Sequence, residues 1–290
     1  MSSVIGAAAA VITAGAAGGL LRSKYERNHF VTEETVIRSP KIKKPARLVF
    51  LSDLHDKEFG RNNECLLREV RRQAPDAILI GGDTMVAKEG KAKLDVTRRL
   101  IAGLSEIGPI YYGNGNHEQR LRKEQETYGE LYHDFRKLLR QYGVVYLSNE
   151  SAWIRDDIKI SGLDLQKVYY DDFCRKRLPV SYVTGWLGKA EQKGFQILLA
   201  HSPLFLETYG KWGADLSLAG HFHGGTIRLP LVGGVMTPQY QFFHPYCAGT
   251  FELEGHHMIV SRGLGTHSVN IRFCNKPQIA AVKLLPESAG

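Results

Sequence analysis

At 290 residues, with 43% apolar side chains, the chain is long enough to bury a sizeable core. A charged fraction of 23% with 30 Gly and 11 Pro excludes a disordered chain. Cys65, Cys174, Cys247 and Cys274 stand far apart with no C-x-x-C pair, which excludes a zinc knuckle or dithiol redox centre and leaves them as buried small side chains. The net charge of +8 is uneven: residues 22–47 carry eight Lys or Arg against Glu26, Glu33 and Glu34. The rest of the chain lacks the basic excess of a nucleic-acid groove, so no nucleic acid is expected as a partner.

In chain order, the first feature is an uncharged stretch from Val4 to Leu21. As a helix it would reach ~27 Å, close to the hydrocarbon thickness of a bilayer, so residues 1–21 are expected to anchor the protein at a membrane. Eleven of these eighteen residues are Ala or Gly, which leaves a peripheral helix or a signal peptide as alternatives. Arg22, Lys24 and Arg27 follow the stretch and no basic residue precedes it, so the positive-inside tendency places the following domain in the cytoplasm. Residues 22–46 read as a basic polar linker that suits an anionic membrane surface.

From residue 47 to 290, apolar runs recur, each closing on polar or glycine residues: ARLVFLSDLH, DAILIGGD, PIYYGNGNHE, IKISGLD, FQILLAHSP, DLSLAGHFHGG, HMIVSRGLG and QIAAVKLL. Runs of this length bounded by turn residues suit buried strands. CLLREVRRQA, KLDVTRRLIAGL and ETYGELYHDFRKLLRQY have apolar residues at three- and four-residue intervals and suit helices between them. The alternation implies an α/β layered domain with mixed sheets whose strand ends share one rim.

Those strand ends carry Asp53 and His55, Asp83, Asn116 and His117, His201, then His221 and His223. Period two puts Asp53 and His55 on one side of an extended segment, where both reach one cation. Asp83 is a carboxylate able to bridge two cations, Asn116 offers a neutral carbonyl oxygen, and the remaining histidines offer imidazoles. Keeping so many polar groups at buried strand ends is costly unless cations neutralise and orient them. Nitrogen and oxygen ligation without thiolate favours Mn²⁺ first, with Fe or Zn²⁺ as alternatives, over a structural zinc.

The motifs SDLH, GGD, GNHE, AHSP and GHFH, in this order, resemble the calcineurin-like metallophosphoesterase family. The resemblance runs from about Arg47 to Leu285 and implies a four-layer α-β-β-α sandwich of two mixed sheets. It also implies that Asp53, His55, Asp83 and His223 hold one metal while Asp83, Asn116, His201 and His221 hold the other. His117 then belongs to chemistry, either giving a proton to the leaving alkoxide or stabilising the phosphoryl oxygens.

GHFHGGTIRLPLVGG followed by IVSRGLGTHSVNIRF is similar to a membrane-associated branch related to UDP-2,3-diacylglucosamine hydrolases. Thr226 and Glu118 depart from that branch, which implies Gln and Asp there, and Val86 stands where the family commonly has a further carboxylate after Asp83. Glu118 is expected to orient His117, and Thr226 to alter a substrate contact. Hydrolysis of a phosphodiester or pyrophosphate bond, in a lipid- or nucleotide-linked substrate, is the leading expectation. A cyclic-nucleotide phosphodiesterase, a non-catalytic scaffold and a nuclease are its rivals. The aromatic and basic insertion 165–188 either caps the site or is a solvated excursion. Arg120, Arg122 and Lys123 either guide phosphate or line a solvent face, and His244 and His267 are candidates at the rim.

Overall fold

A computed structural model describes residues 17–191, 193–225, 227–229, 231–266 and 270–287. A helix over residues 17–28 (α1) leads into strands β1 (Val31–Ser39) and β2 (Ala46–Leu51). There follow α2 (Glu64–Gln73), β3 (Ala77–Ile80), α3 (Asp95–Ser105), β4 (Ile110–Gly113), α4 (Asn116–Lys123), α5 (Gln125–Tyr128), α6 (Leu131–Gln141) and β5 (Val145–Leu147). The later half holds β6 (Glu150–Arg155), β7 (Ile158–Leu163), α7 (Val180–Leu187), β8 (Phe195–Ala200), α8 (Leu206–Trp212) and β9 (Leu216–Ala219). A short pair, β10 (Arg228–Leu229) and β11 (Gly233–Gly234), precedes β12 (Gly249–Leu253), β13 (His256–Val260) and β14 (Gln278–Pro286).

All eight apolar runs form strands, because each carries hydrophobic residues on both faces. One sheet has the order β1-β14-β2-β3-β4-β5 and the other β12-β13-β9-β8-β7-β6, both mixed in direction. In β2 the alternation is direct: Leu48 and Phe50 pack with Leu79 of β3 against Ile197, Leu199 and Leu218 of the opposite sheet. Val49 and Leu51 point the other way, toward Leu66, Val70, Leu100 and Phe135 of the outer helices. On the far side, Leu198 and Ala200 pack against Val183, Tyr209 and Trp212 of α7 and α8. The result is the expected four-layer α-β-β-α arrangement, with β2, β3, β4, β8 and β9 ending at one crevice.

The N-terminal region differs from expectation. Residues 22–46, expected as a linker, belong to the fold: α1 continues to residue 28, and all nine residues of β1 pair in parallel with β14. β1 lies at a sheet edge where, of its apolar residues, only Ile37 is buried, so charged residues occupy the solvent positions and hide the strand from a hydrophobic reading. The expected membrane attachment is overturned. Among the described residues no helix is long and apolar enough to cross a membrane. Residues 1–16 of the apolar stretch lie outside the described residues, and α1 turns a polar face, Ser23 and Glu26, into the protein. The cytoplasmic placement rested on that anchor and falls with it.

Candidate metal centre

The crevice is built where two strand-end loops zip together. The Asp53 and His55 N–H groups donate to the carbonyls of Gly82 and Asp83, both at 3.0 Å, which carries the β2–β3 pairing beyond the strands. Asp53 and His55 do not lie in an extended segment. β2 ends at Leu51, and both residues take left-handed backbone, with φ of 54° and 46°. Asp83, His221 and His223 do the same, at 55°, 65° and 48°. Asp, Asn and His tolerate this region better than other side chains, and clusters of such strain mark functional sites.

These turns aim the side chains at one another. The Asp53 Oδ1 atom lies 3.4 Å from His223 Nε2 and 3.9 Å from His55 Nε2, and the two imidazole nitrogens are 3.2 Å apart. Asp83 Oδ2 lies 3.1 Å from His201 Nε2 and 3.8 Å from His55 Nε2. Three overlapping donor groups result, Asp53 with His55 and His223, Asp83 with His201 and His221, and Asp83 with His55 and His117, each compact enough to hold one ion. Asp83 links the first two through its contact with His55. Gly115 permits this packing, since a Cβ there would sit 2.1 Å from Asp83 Oδ1.

Hydrogen bonds at the far ring nitrogens separate the histidines by role. His201 Nδ1 donates to the Gly81 carbonyl at 2.7 Å and His223 Nδ1 to the Gly265 carbonyl at 3.3 Å. Each therefore turns Nε2 to the centre, and once any proton there is given up that nitrogen offers the lone pair a metal ligand requires. His117 has the opposite polarity: the Ala87 N–H donates to its Nδ1 at 2.9 Å, so its proton sits on Nε2. That nitrogen is a donor, not a ligand. Asn116 Oδ1 is buried with no hydrogen-bond partner among the described residues, an arrangement that a cation relieves. The buried carboxylates, the oriented imidazoles and this oxygen fit a pair of divalent cations.

Electrostatics agree. Burial pushes Asp53 up to about 6, opposed by charge on His201 and by the Ser52 hydroxyl at 2.6 Å. Burial also works against ionised Asp83, but the histidines around it, His201 first, hold it well below the usual carboxylate range. Burial disfavours charge on His201 as well, yet Asp83 and Asp53 raise it to about 10. In the absence of metal, a proton on His201 thus stands in for a cation between the carboxylates.

Glu118, expected to orient His117, has both carboxylate oxygens engaged elsewhere. Its carboxylate accepts the N–H groups of Asp83, Thr84 and Gly115 at 2.8–3.0 Å and the Tyr112 hydroxyl at 2.6 Å, tying the GGD loop to the start of α4. Burial and the neighbouring Asp83 push it up to about 7. At Val86, where the further carboxylate is missing, the N–H donates instead to Asp56 at 3.0 Å. Arg122 pairs with buried Asp164 at 3.0 Å and is structural, whereas Arg120 and Lys123 reach the crevice.

The model of the calcineurin-like phosphoesterases matches residues 46–225, which include every one of these centre residues. The chain belongs to that family. It is therefore a hydrolase acting on phosphoesters, and the family works with two metals. The chain is 27% identical to the metallophosphoesterase YkuE of Bacillus subtilis, over 96% of this chain and 93% of the relative. It is 26% identical to the phosphodiesterase YaeI of Escherichia coli, over 83% of each. To the UDP-2,3-diacylglucosamine pyrophosphatase LpxG of Chlamydia trachomatis it is 24% identical, over 83% of this chain and 84% of that protein.

Beside the centre of this phosphoesterase lies a cavity of about 210 Å³ bordered by Asn116, His221, Lys123, Lys167 and Tyr170. The insertion 165–188 contributes the last two, and the Tyr170 ring lies edge-on to His221 at 5.0 Å, so part of the insertion does cap the site. Its remainder, including Leu178 and Val183, packs on the outer face of the second sheet. His244 packs against Phe222 at 5.3 Å, behind the motif rather than in the cavity. Thr226 and His267 lie outside the described residues. Sequence reading named Tyr170 as one of several aromatic residues of the insertion without singling it out, and it missed the supporting roles of Ser52, the first residue of SDLH, and of Arg272 and Asn275 beyond the last motif.

Proposed function

We propose that this phosphoesterase cleaves a phosphodiester or pyrophosphate bond with two divalent cations held by Asp53, His55, Asp83, Asn116, His201, His221 and His223. The observation that carries the reading is the pair of donor groups meeting at Asp83, next to a histidine whose protonated nitrogen is fixed by Ala87. When bound, the cations supply the nucleophile and stabilise the charged phosphoryl oxygens. A donor set of four imidazoles, two carboxylates and one amide oxygen admits Mn²⁺, the first ion to test, with Fe or Zn²⁺ as alternatives. Asp83 fixes the spacing of the two positions. His117 donates its Nε2 hydrogen to a phosphoryl oxygen, since proton transfer to a leaving group from an imidazolium would need a hydrogen on Nδ1, where the Ala87 N–H already points.

For the substrate, Arg120 and Lys123 beside Tyr170 suit an anionic group joined to a partly apolar one, while Lys167 lies 3.8 Å from Glu124, which with Asp171 and Asp172 shares the lining. The similarity to LpxG, named for a nucleotide-linked lipid, and to YaeI, named a phosphodiesterase, supports a lipid- or nucleotide-linked diphosphate ahead of a small cyclic phosphodiester. The test assays Mn²⁺-loaded protein against a nucleotide diphosphate lipid, a cyclic nucleotide and a bis-aryl phosphodiester. Activity should need two cations per chain and fall by on the order of 10³ in Asp83→Asn, which keeps the shape but loses the charge. Hydrolysis by metal-free protein, or full activity in Asp83→Asn, would sink the proposal.

A further inference from the structure

The GHFH motif ends on a histidine that is held from two sides, and both supports lead away from the motif. Its Nδ1 donates to the Gly265 carbonyl at 3.3 Å, while its own backbone carbonyl accepts from the Asn275 side chain at 2.7 Å. Gly265 is packed tightly there. A Cβ on it would lie 2.0 Å from the Leu54 carbonyl, between Asp53 and His55, and its N–H donates to the Asp53 carbonyl at 2.6 Å. This loop, SRGLG, is thus the floor under one of these donor groups.

The loop is itself held by Arg272, whose guanidinium is almost fully buried at 1% exposure and, among the described residues, meets no carboxylate within ion-pair distance. Nη2 instead donates to the carbonyls of Arg262, Gly263 and Gly265, and Nη1 to that of Asn275. Enclosing a guanidinium without a paired anion is unfavourable unless its fork is matched by fixed acceptors, and here four carbonyls supply them. Leaving them unmatched would free the Gly265 carbonyl that sets the His223 ring.

Both members of this support continue into α1. The Arg272 N–H donates to the Ser23 hydroxyl at 3.1 Å and the Asn275 N–H to the Glu26 carboxylate at 2.8 Å. Ser23 and Glu26 are three residues apart and so share a helix face, and both are buried. Arg22 closes the arrangement by pairing with the other oxygen of Glu26 at 2.7 Å. The contacts join segments 249 residues apart in the chain.

We propose that Arg272 and Glu26 are positioning residues of the metal centre, and that α1 is a working part of it, clamping through Ser23 and Glu26 the segment that fixes His223. The proposal rests on the two-metal reading above. Supports of this kind commonly change metal affinity by about 10–100-fold when removed. The expected effect is confined to one of the two cations, the one facing Asp53, His55 and His223.

The experiment titrates the full chain with Co²⁺ and follows both the heat of binding and the visible absorption of the loaded protein. Variants Glu26→Ala, Ser23→Ala and Arg272→Lys are compared with wild type, alongside thermal melting without metal. The proposal expects one of two sites to weaken by about 10-fold or more in Glu26→Ala and Arg272→Lys, and in the same direction but less in Ser23→Ala, with an altered absorption band, while the second site stays as in wild type. Glu26→Gln, which retains an acceptor for the Asn275 N–H, should restore most of the affinity. Should Arg272→Lys fail to fold, the two α1 variants decide alone. Wild-type affinities and spectra in folded variants, with only the melting temperature lowered, would overturn the proposal and leave the two-metal reading intact. Absence of two Co²⁺ sites in wild type would instead overturn that reading.

Discussion

The two rims of the crevice hold their donors by different means. On the rim of the first sheet, Asp83 and its loop are secured by Glu118, which belongs to the same GNHE motif as Asn116 and His117. On the rim of the second sheet, His201 leans on the carbonyl of Gly81, itself part of GGD, whereas His223 is held by Gly265 and Asn275, beyond the last motif. Support packed into a motif travels with it through sequence. Support assembled by the fold does not, and its loss leaves the motif looking intact while the site loosens.

The largest effect that would test this contrast is on His117. If its Nε2 hydrogen stabilises phosphoryl charge, His117→Ala should slow diester hydrolysis by about 10²–10³. The loss should be equal for good and poor leaving groups, as read from kcat/KM across an aryl series. A loss concentrated in poor leaving groups would mean that an imidazolium forms despite Ala87, erasing the difference between His117 and His201.

Next comes Glu118→Gln. One amide oxygen cannot accept the four donors the carboxylate holds, so metal affinity should fall by about 10–100-fold in a calorimetric titration. Unchanged affinity would show that the first rim does not depend on support inside its motif.

The smallest effect concerns protons. His201, held to about 10 by Asp83 and Asp53 against burial, is protonated near neutrality before metal binds and must give that proton up. Binding at pH 7 should release about one proton per chain, measurable by calorimetry in buffers of different ionisation heat. Affinity should rise with pH toward 10 and fall more steeply below 6, where Asp53 also becomes protonated. Binding without proton release would place the His201 proton elsewhere.

The same contrast explains what was legible. Each apolar run announced its strand because hydrophobic residues lie on both faces, and each ligand follows such a run within a few positions. β1 was hidden because an edge strand needs few buried residues, and VTEETVIRS shows its charges first. The period-two argument expects Asp53 and His55 to meet along an extended segment, whereas they meet because the chain turns left-handed there. Glu118 was visible as a residue but not in its role, because its partners are backbone N–H groups, which leave no mark in sequence. Arg272 and Asn275 likewise contact carbonyls and amides, and α1 sat inside a segment whose apolar and basic composition pointed toward a bilayer.

The left-handed turns at the ligands bear on how the site should be dissected. At His55 and His223, alanine would remove an imidazole and also place an intolerant residue at φ of 46° and 48°, so two injuries would be scored as one. Asparagine accepts that backbone while withholding the ring nitrogen, and glycine accepts it while withholding any side chain. For this chain, the customary alanine scan is the wrong ruler at these positions, and an asparagine–glycine pair is the calibrated one.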